Sequence, residues 1–424
     1  MKNEKKLSSY EILERFFDEN SFVETDALLD TSSAVAGWGT VDGVTVFAFS
    51  QNVSEMGGAV SKNQAKKISK LYRAALKTGA PVVGFYDSIG AKLDEKYEML
   101  SSYGDILKKA STLSGVVPQI SVVLGSCLGT SALMASSADF VIMEKDAALS
   151  VDTSGENASS EYNQKAGTAS FVCETEEECI DRAKELLSFL PSNNLEPAPA
   201  FEPLGAYSSP EKLPQYIADE DSLLCVSSGF GENVCTAFGR VEGEPVAIVR
   251  TKGGVITDDD CEKMYRFIRF ADAFSIPVIT IVNAKRFEST KSASKAVCAY
   301  AEATTAKISV IEGEASGAVY IALSSVSTGA DAVYALPSAI VSPVAPKAAA
   351  YLLEPSISDA SVSDQEELSD KFIKENLSSE KAAQDGYIDD IVEKDALRAK
   401  IASTLSMLSS KRVSALPKKH TTIL

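Results

Sequence analysis

The chain has 424 residues, 45% hydrophobic, 24% charged and 8% aromatic, which excludes a disordered or fibrous chain and is long enough for two or more packed domains. Against 59 Asp and Glu stand 41 Lys and Arg, a net charge of −18, so long-range attraction for nucleic acid or anionic lipid is absent. The single histidine, His420, lies close to the C-terminus. Its isolation removes Ser-His-Asp triads, Cys-His pairs and His-ligated zinc, and leaves catalysis to backbone donors, carboxylates, Lys, Tyr or a borrowed cofactor.

The segment from Met1 to Lys6 is polar and lacks the apolar core of a signal peptide, and no apolar run approaches the ~18 residues of a membrane span. A cytoplasmic location is the expectation. From Gly37 to Phe47 a hairpin with a glycine turn is predicted, and from Ala75 to Asp87 a helix, a short connection and an apolar strand. Ile120 opens a strand, a Gly-rich turn, a helix of small residues and a further strand. The acidic run Glu174 to Glu178 solvates a helix start with Thr175 as N-cap. A Pro- and Asn-rich stretch, Leu190-Pro191-Ser192-Asn193-Asn194 through Pro203, has the composition of a domain connection.

Beyond it the same series returns: a hairpin at Ala237 to Ala247, helix and strand from Phe270, and strand, glycine turn and helix from Ile308. An offset of roughly 190 to 200 residues is far longer than any solenoid period. The expectation is therefore two homologous α/β domains, residues 1–200 and 201–424, each alternating apolar strands with helices. A helix from about Asp395 to Met407 and a basic Pro417-Lys418-Lys419-His420 close the chain. The seven cysteines lack a C-x-x-C pair and read as reduced, buried thiols.

The chemistry lies in the repeated glycine turns, Gly125-Ser126-Cys127-Leu128-Gly129-Thr130-Ser131 and Gly313-Glu314-Ala315-Ser316-Gly317-Ala318-Val319. A strand that runs through such a turn into a helix directs backbone N–H groups and the positive end of the helix dipole at one point, which suits an oxyanion. One such turn is ordinary helix–strand packing; the same turn in both repeats points to paired oxyanion holes. Without a histidine or an activating cation, Cys127 reads as a core thiol. Trp38 and Tyr320 read as core aromatics.

Several ordered motifs, among them Gly37-Trp38-Gly39-Thr40-Val41-Asp42-Gly43, Phe49-Ser50-Gln51, Met56-Gly57-Gly58, Asp87-Ser88-Ile89-Gly90-Ala91-Lys92, Arg266-Phe267-Ile268-Arg269-Phe270 and Gly386-Tyr387-Ile388-Asp389-Asp390, give the chain a resemblance to a known family. It resembles, over nearly its whole length, the carboxyltransferase subunits of biotin-dependent acyl-CoA carboxylases and decarboxylases. The resemblance implies two crotonase-like domains of repeated ββα units, the first on the acyl-CoA side and the second on the biotin side. It implies transfer of a carboxyl group between carboxybiotin, carried on a partner biotin carboxyl carrier protein, and the α-carbon of a short acyl-CoA, without a metal. Gly129 and Thr130, with Ala91 opposite, would hold the thioester enolate; Gly317 and Ala318, with Phe287, would hold the biotin ureido oxygen. Gly57, Gly58, Gly90, Lys92, Tyr320 and Ile321 would bind the cofactors, with Lys62, Lys66 and Lys67 adding positive charge near Lys92. Implied partners are a biotin carboxylase or the membrane subunits of a sodium-pumping decarboxylase, and implied assembly is a homo-hexamer whose sites form between subunits.

The chain departs from the family pattern where Thr130 and Ala318 replace a second glycine, and where Lys285-Arg286-Phe287-Glu288-Ser289 stands in a shortened loop. Three readings follow: an acyl-CoA carboxylase subunit, a decarboxylase subunit, and a non-catalytic scaffold. A hydratase lacks its paired carboxylates at the first turn.

Overall fold

The computed structural model describes residues 6–29, 34–51, 53–54 and 56–413. Residues 1–5, His420 and the basic segment around it lie outside the described residues. The chain divides into two units, Met1–Pro199 and Ala200–Leu424.

In the first unit the elements follow as α1 (Ser9–Phe16), β1 (Val23–Glu24), β2 (Ala34–Val41), β3 (Val44–Gln51), α2 (Lys62–Thr78), β4 (Val82–Ser88), α3 (Glu98–Leu113) and β5 (Gln119–Leu128). Then come α4 (Thr130–Ala135), β6 (Phe140–Glu144), β7 (Ala148–Ser150), α5 (Ser160–Lys165), β8 (Phe171–Cys173) and α6 (Glu176–Leu187). The sheet runs β1-β2-β3-β4-β5-β6-β8, with β7 paired to the end of β5. Its first strands are antiparallel, and pairing is parallel from β3 onward. Every residue of β4 is buried, as a parallel strand covered on both faces requires. One core packs Phe49, Ile68, Tyr86, Tyr103 and Ile106 together.

The second unit contains α7 (Leu213–Ile217), β9 (Leu224–Val226), β10 (Val234–Val241), β11 (Glu244–Thr251), β12 (Val255–Ile256), α8 (Asp258–Ala273), β13 (Val278–Ala284), β14 (Arg286–Phe287), α9 (Thr290–Glu302) and β15 (Lys307–Ser316). It continues through α10 (Ala318–Leu323), β16 (Ala332–Ala335), β17 (Ile340–Ser342), α11 (Pro346–Leu353), α12 (Ser356–Asp359), α13 (Val362–Asn376), α14 (Ser379–Gln384), β18 (Asp390–Ile391) and α15 (Leu397–Leu408). Its sheet order, β9-β10-β11-β13-β15-β16-β18 with β17 on β15, repeats that of the first unit strand for strand. The small parallel pair β12–β14 lies apart from that sheet.

The repeat extends to the hairpins. Asp42 and Gly43 at the β2–β3 turn have φ of 49° and 78°, and Glu242 and Gly243 at the β10–β11 turn have 52° and 80°. Positive φ at both central residues is the turn whose twist matches the strands. Each turn is held by an aspartate: Asp18 accepts from the N–H of Asp42 and Gly43 at 3.0 and 2.9 Å, and Asp219 from Glu242 and Gly243 at 3.0 and 2.8 Å.

Helix ends follow their sequence signals. Ser61 caps α2 and Thr175 caps α6 through their side-chain oxygens, and Gly79 closes α2 in the left-handed conformation. The stretch at Asn193 is more than a connection: it is buried, its Nδ2 donates to Gly79 O at 2.9 Å, and Asn194 N–H donates to Val116 O at 3.0 Å.

Three expectations are corrected. Trp38 is 39% exposed rather than a core aromatic, because it alternates outward on β2. Among the cysteines, Cys225 is exposed and Cys235 and Cys298 are half-buried, since they sit on a short edge strand, its neighbour and a helix. Lys67 belongs to the core: it is 2% exposed and its Nζ lies 2.7 Å from Glu24 Oε1. Among the described residues no helix is long and apolar enough to cross a membrane.

Candidate active site: paired glycine turns

At the end of β5, Gly129 has φ 62° and ψ −132°, and α4 begins at Thr130. That backbone conformation is open to glycine and costly to residues with a Cβ. It turns the Gly129 N–H toward β7, where it donates to Ser150 O at 2.9 Å. The next amide, Thr130 N–H, has no acceptor among the described residues, as the first N–H of a helix commonly lacks one.

Beside this turn runs the loop that follows β4. Val60 N–H donates to Gly90 O at 2.8 Å and Lys92 N–H to Val60 O at 3.0 Å, so in this parallel bridge Ala91 faces Val60 and its own N–H points away. A Cβ on Gly90 would lie 3.4 Å from Leu128 O, which sets loop and turn side by side. Gly57 accepts from Ile89 N–H at 3.0 Å, and a Cβ on Gly58 would lie 2.0 Å from Asp87 O. Both glycines have positive φ, 63° and 68°. Behind the turn, Tyr103 and Ser131 hydroxyls meet at 2.7 Å.

The second unit repeats this arrangement. Gly317 has φ 51° and ψ −118°, its N–H donates to Ser342 O at 2.8 Å, and α10 begins at Ala318. Here the neighbouring loop is the β12–β14 pair, with Ile256 facing Phe287 and Glu288 N–H donating to Ile256 O at 2.8 Å. Phe287 thus stands where Ala91 stands in the first unit, its N–H likewise directed away from the pairing strand. Ala318 N–H, like Thr130 N–H, has no acceptor among the described residues.

The turn hydrogen bonds refine the sequence-based expectation. Gly129 and Gly317 were expected to supply N–H groups, but both are engaged by β7 and β17; their contribution is the backbone conformation that frees the following amide. The geometry leaves Thr130 with Ala91 and Ala318 with Phe287.

Other expected residues fall elsewhere. Lys92 Nζ lies 3.6 Å from Asp94 and 3.9 Å from Glu95, and Lys62 Nζ lies 2.8 Å from Glu98. With Lys67 in the core, the expected positive patch is not assembled, because each of these lysines has a local carboxylate. Lys66 alone of the four is exposed without such an ion pair among the described residues. Tyr320 is half-buried, donates to Tyr387 O at 2.8 Å and meets the Tyr387 ring edge-on at 6.3 Å. It joins α10 to the Gly386-Tyr387 segment. Ile321 is 57% exposed, and Leu133 holds the matching position on α4 at 48%. Burial pushes the Cys127 thiol far up, which suits a core residue and not a nucleophile.

Two features escaped sequence reasoning. Gly253-Gly254, with φ of 96° and 81°, is the second unit's counterpart of Gly57-Gly58; the visible signal was a Gly-Gly pair ahead of the second repeat's helix. A side-chain bracket lies beneath each turn. Asp87 Oδ1 accepts from Ser126 N–H at 3.1 Å and Asn283 Oδ1 from Glu314 N–H at 3.2 Å. Their own N–H groups donate to Gln51 Oε1 at 3.2 Å and Thr251 Oγ1 at 2.7 Å. Gly125 and Gly313 make room, since a Cβ on either would lie 2.5 Å from the bracket side chain.

Two α/β units are thus built alike, each with a glycine turn followed by an amide that has no acceptor among the described residues. The chain belongs to the carboxyl transferase domain family, whose model matches residues 3–423. It is 33% identical to the methylmalonyl-CoA decarboxylase subunit alpha of Veillonella parvula, covering 98% of this chain and 92% of that one. It is 31% identical to the propionyl-CoA carboxylase carboxyltransferase subunit of Haloferax mediterranei, covering 98% and 93%. The fold matches the crystal structure of transcarboxylase 12S, a hexamer described with hydrolysed methylmalonyl-coenzyme A bound, at a TM-score of 0.91 with 30% identity over 99% of this chain and 93% of that one. The fold is therefore the two-domain crotonase-like carboxyltransferase fold.

Proposed function

We propose that this chain is the carboxyltransferase subunit of a biotin-dependent acyl-CoA carboxylase, acting on a short acyl-CoA. The observation that carries the reading is the repetition of the free-amide pair: Ala91 with Thr130 in one unit, Phe287 with Ala318 in the other. Carboxybiotin on a partner carrier protein would supply the carboxyl group and, once that group has left, a ureido nitrogen as base for the α-proton. The first unit's amides donate to the thioester oxygen, and their bonds strengthen as negative charge gathers there in the enolate. The second unit's amides, of Ala318 and Phe287, would hold the ureido oxygen, where charge develops when the carboxyl group leaves. With the α-proton passing to the biotin nitrogen, no side-chain base would be needed, in keeping with a chain whose one histidine is near its end. The subunit works as a homo-hexamer in the cytoplasm beside a biotin carboxylase.

A second reading, a decarboxylase subunit, draws on the identity to the Veillonella protein; partner subunits then set the direction. Purified chain incubated with malonyl-CoA and with methylmalonyl-CoA, with and without free biocytin as acceptor, tests the common chemistry. The expected result is biocytin-dependent release of acetyl- or propionyl-CoA, lost in Gly317→Val. Binding of the thioesters without turnover, alone and with partner subunits added, overturns it in favour of a scaffold.

A further inference from the structure

The two brackets beneath the turns differ in charge. Asn283 is neutral, whereas Asp87 brings a carboxylate, 7% exposed, directly under the strand that leads to Thr130. Asp87 is also four residues before Ala91 in the chain, and Ser126 four before Thr130, so the Asp87 to Ser126 bond ties together the two segments that carry the first unit's free amides. A buried carboxylate at this place opposes the negative charge that the amides are there to hold.

Among the described residues one cation meets it. Lys6 Nζ pairs with Asp87 Oδ2, and the segment is fixed by Leu7 N–H, which donates to Glu176 Oε2 on α6 at 3.0 Å. Lys6, Asp87 and Glu176 line a cavity of about 370 Å³ with Ser50 and Gln51. Of the charged and titratable groups around Asp87, Lys6 comes from the N-terminal segment, Glu176 from α6 and Cys127 from β5. Burial raises both the Glu176 carboxyl and the Cys127 thiol, and neither offers a positive charge.

We infer that Lys6 is a positioning residue for the acyl-CoA half of the site: by neutralising Asp87 it keeps the Asp87 to Ser126 bracket closed and removes a negative charge from beneath the Ala91 and Thr130 amides. This rests on the carboxyltransferase reading. In the second unit the same bracket closes through a neutral amide, so no lysine is required.

The test uses full-length chain carrying Lys6→Met, Lys6→Arg, or Lys6→Met with Asp87→Asn. Turnover of methylmalonyl-CoA with biocytin should fall roughly tenfold in kcat for Lys6→Met, with KM within about twofold. Lys6→Arg should keep the wild-type rate, and adding Asp87→Asn to Lys6→Met should restore it to within about threefold, because it installs the second unit's neutral bracket. A packing role for Lys6 predicts no such rescue. Amide hydrogen exchange, which needs no turnover, should quicken in a peptide spanning residues 124–135 in Lys6→Met and recover in the double variant, while peptides of the second unit stay unchanged. If exchange and kcat are both untouched by Lys6→Met, or if Asp87→Asn fails to rescue, the inference is overturned. An inactive wild type with the exchange pattern intact counts against the carboxyltransferase reading and leaves the bracket standing.

Discussion

Beneath the turn at Gly129 the supporting side chain is the carboxylate of Asp87, and beneath the turn at Gly317 it is the amide of Asn283. The same substitution of means recurs elsewhere. Each unit buries a lysine in the helix after its hairpin, Lys67 at 2% exposure and Lys263 at 4%. Lys67 meets the carboxylate of Glu24, whereas Lys263 Nζ donates to the carbonyl oxygens of Phe230 and Val234, both at 2.8 Å. Just before β6 and β16, Asp139 accepts only the Gln119 N–H among the described residues, while Asp331 accepts from Lys307 N–H and also pairs with Lys411 at 2.8 Å. The backbone geometry is common to both units, whereas the buried lysine meets a charge in the first unit and carbonyl dipoles in the second, and the strand-end aspartate meets a lysine only in the second. What is kept is the position of each hydrogen bond; what varies is how its charge is balanced.

The turns give the largest expected effect. Gly129→Val and Gly317→Val place a Cβ at φ of 62° and 51°, which displaces the next amide, and kcat should fall by ~10² to 10³ in each. The comparison sharpens in binding: Gly129→Val should weaken acyl-CoA binding, and Gly317→Val should leave it near wild type while raising the KM for biocytin. Equal effects on both ligands in both variants would break the division of labour.

The buried lysines come next. Lys67→Met takes the cation from Glu24, leaving it the Tyr10 hydroxyl at 2.6 Å, and should cost about 2 to 4 kcal/mol in denaturant unfolding. Lys263→Met leaves carbonyls without a donor but no uncompensated charge, and should cost less. The pH dependence separates them further. Burial holds Lys263 down to about 8, below its ordinary value, so the folded state carries a penalty below about pH 8 that is relieved as pH rises toward the unfolded value of about 10.5. Wild-type stability should gain from this source between those values, and Lys263→Met should lose that gain.

Smaller still are the hairpin glycines. A Cβ on Gly43 meets nothing within 4 Å, but one on Gly243 would lie 1.9 Å from Phe201 O. Gly43→Ala should cost about 1 kcal/mol for its positive φ alone, and Gly243→Ala roughly 3 kcal/mol because backbone must move as well. Equal melting shifts would deny that contact. The last difference is in acid. Burial raises the Asp139 carboxyl to about 7, so its contribution to stability is present below the ordinary carboxylate value and fades as pH rises through 7. Asp139→Asn should flatten thermal stability between about pH 4 and 7 relative to wild type.

Much of this was legible beforehand because the signals are local. Apolar runs such as Val82 to Phe85 report a strand, the glycine turn between Gly37 and Phe47 reports a hairpin, and Thr175 reports where α6 starts. The repeat followed from the order of these signals alone, and the glycine turns could be placed by their spacing between strand and helix. What the sequence by itself determined, then, is the duplicated α/β framework and the chain positions of both turns, since each depends on residues within a few positions of one another. Tertiary structure alone decided which amides stay free, because Gly129 and Gly317 are engaged by Ser150 of β7 and Ser342 of β17, each more than twenty residues further on. It also decided that Lys67 serves the core and that Lys6 closes on Asp87. Charge and hydrogen-bond partners depend on what the fold brings within about 3 Å, and that distance is not written in the order of the residues.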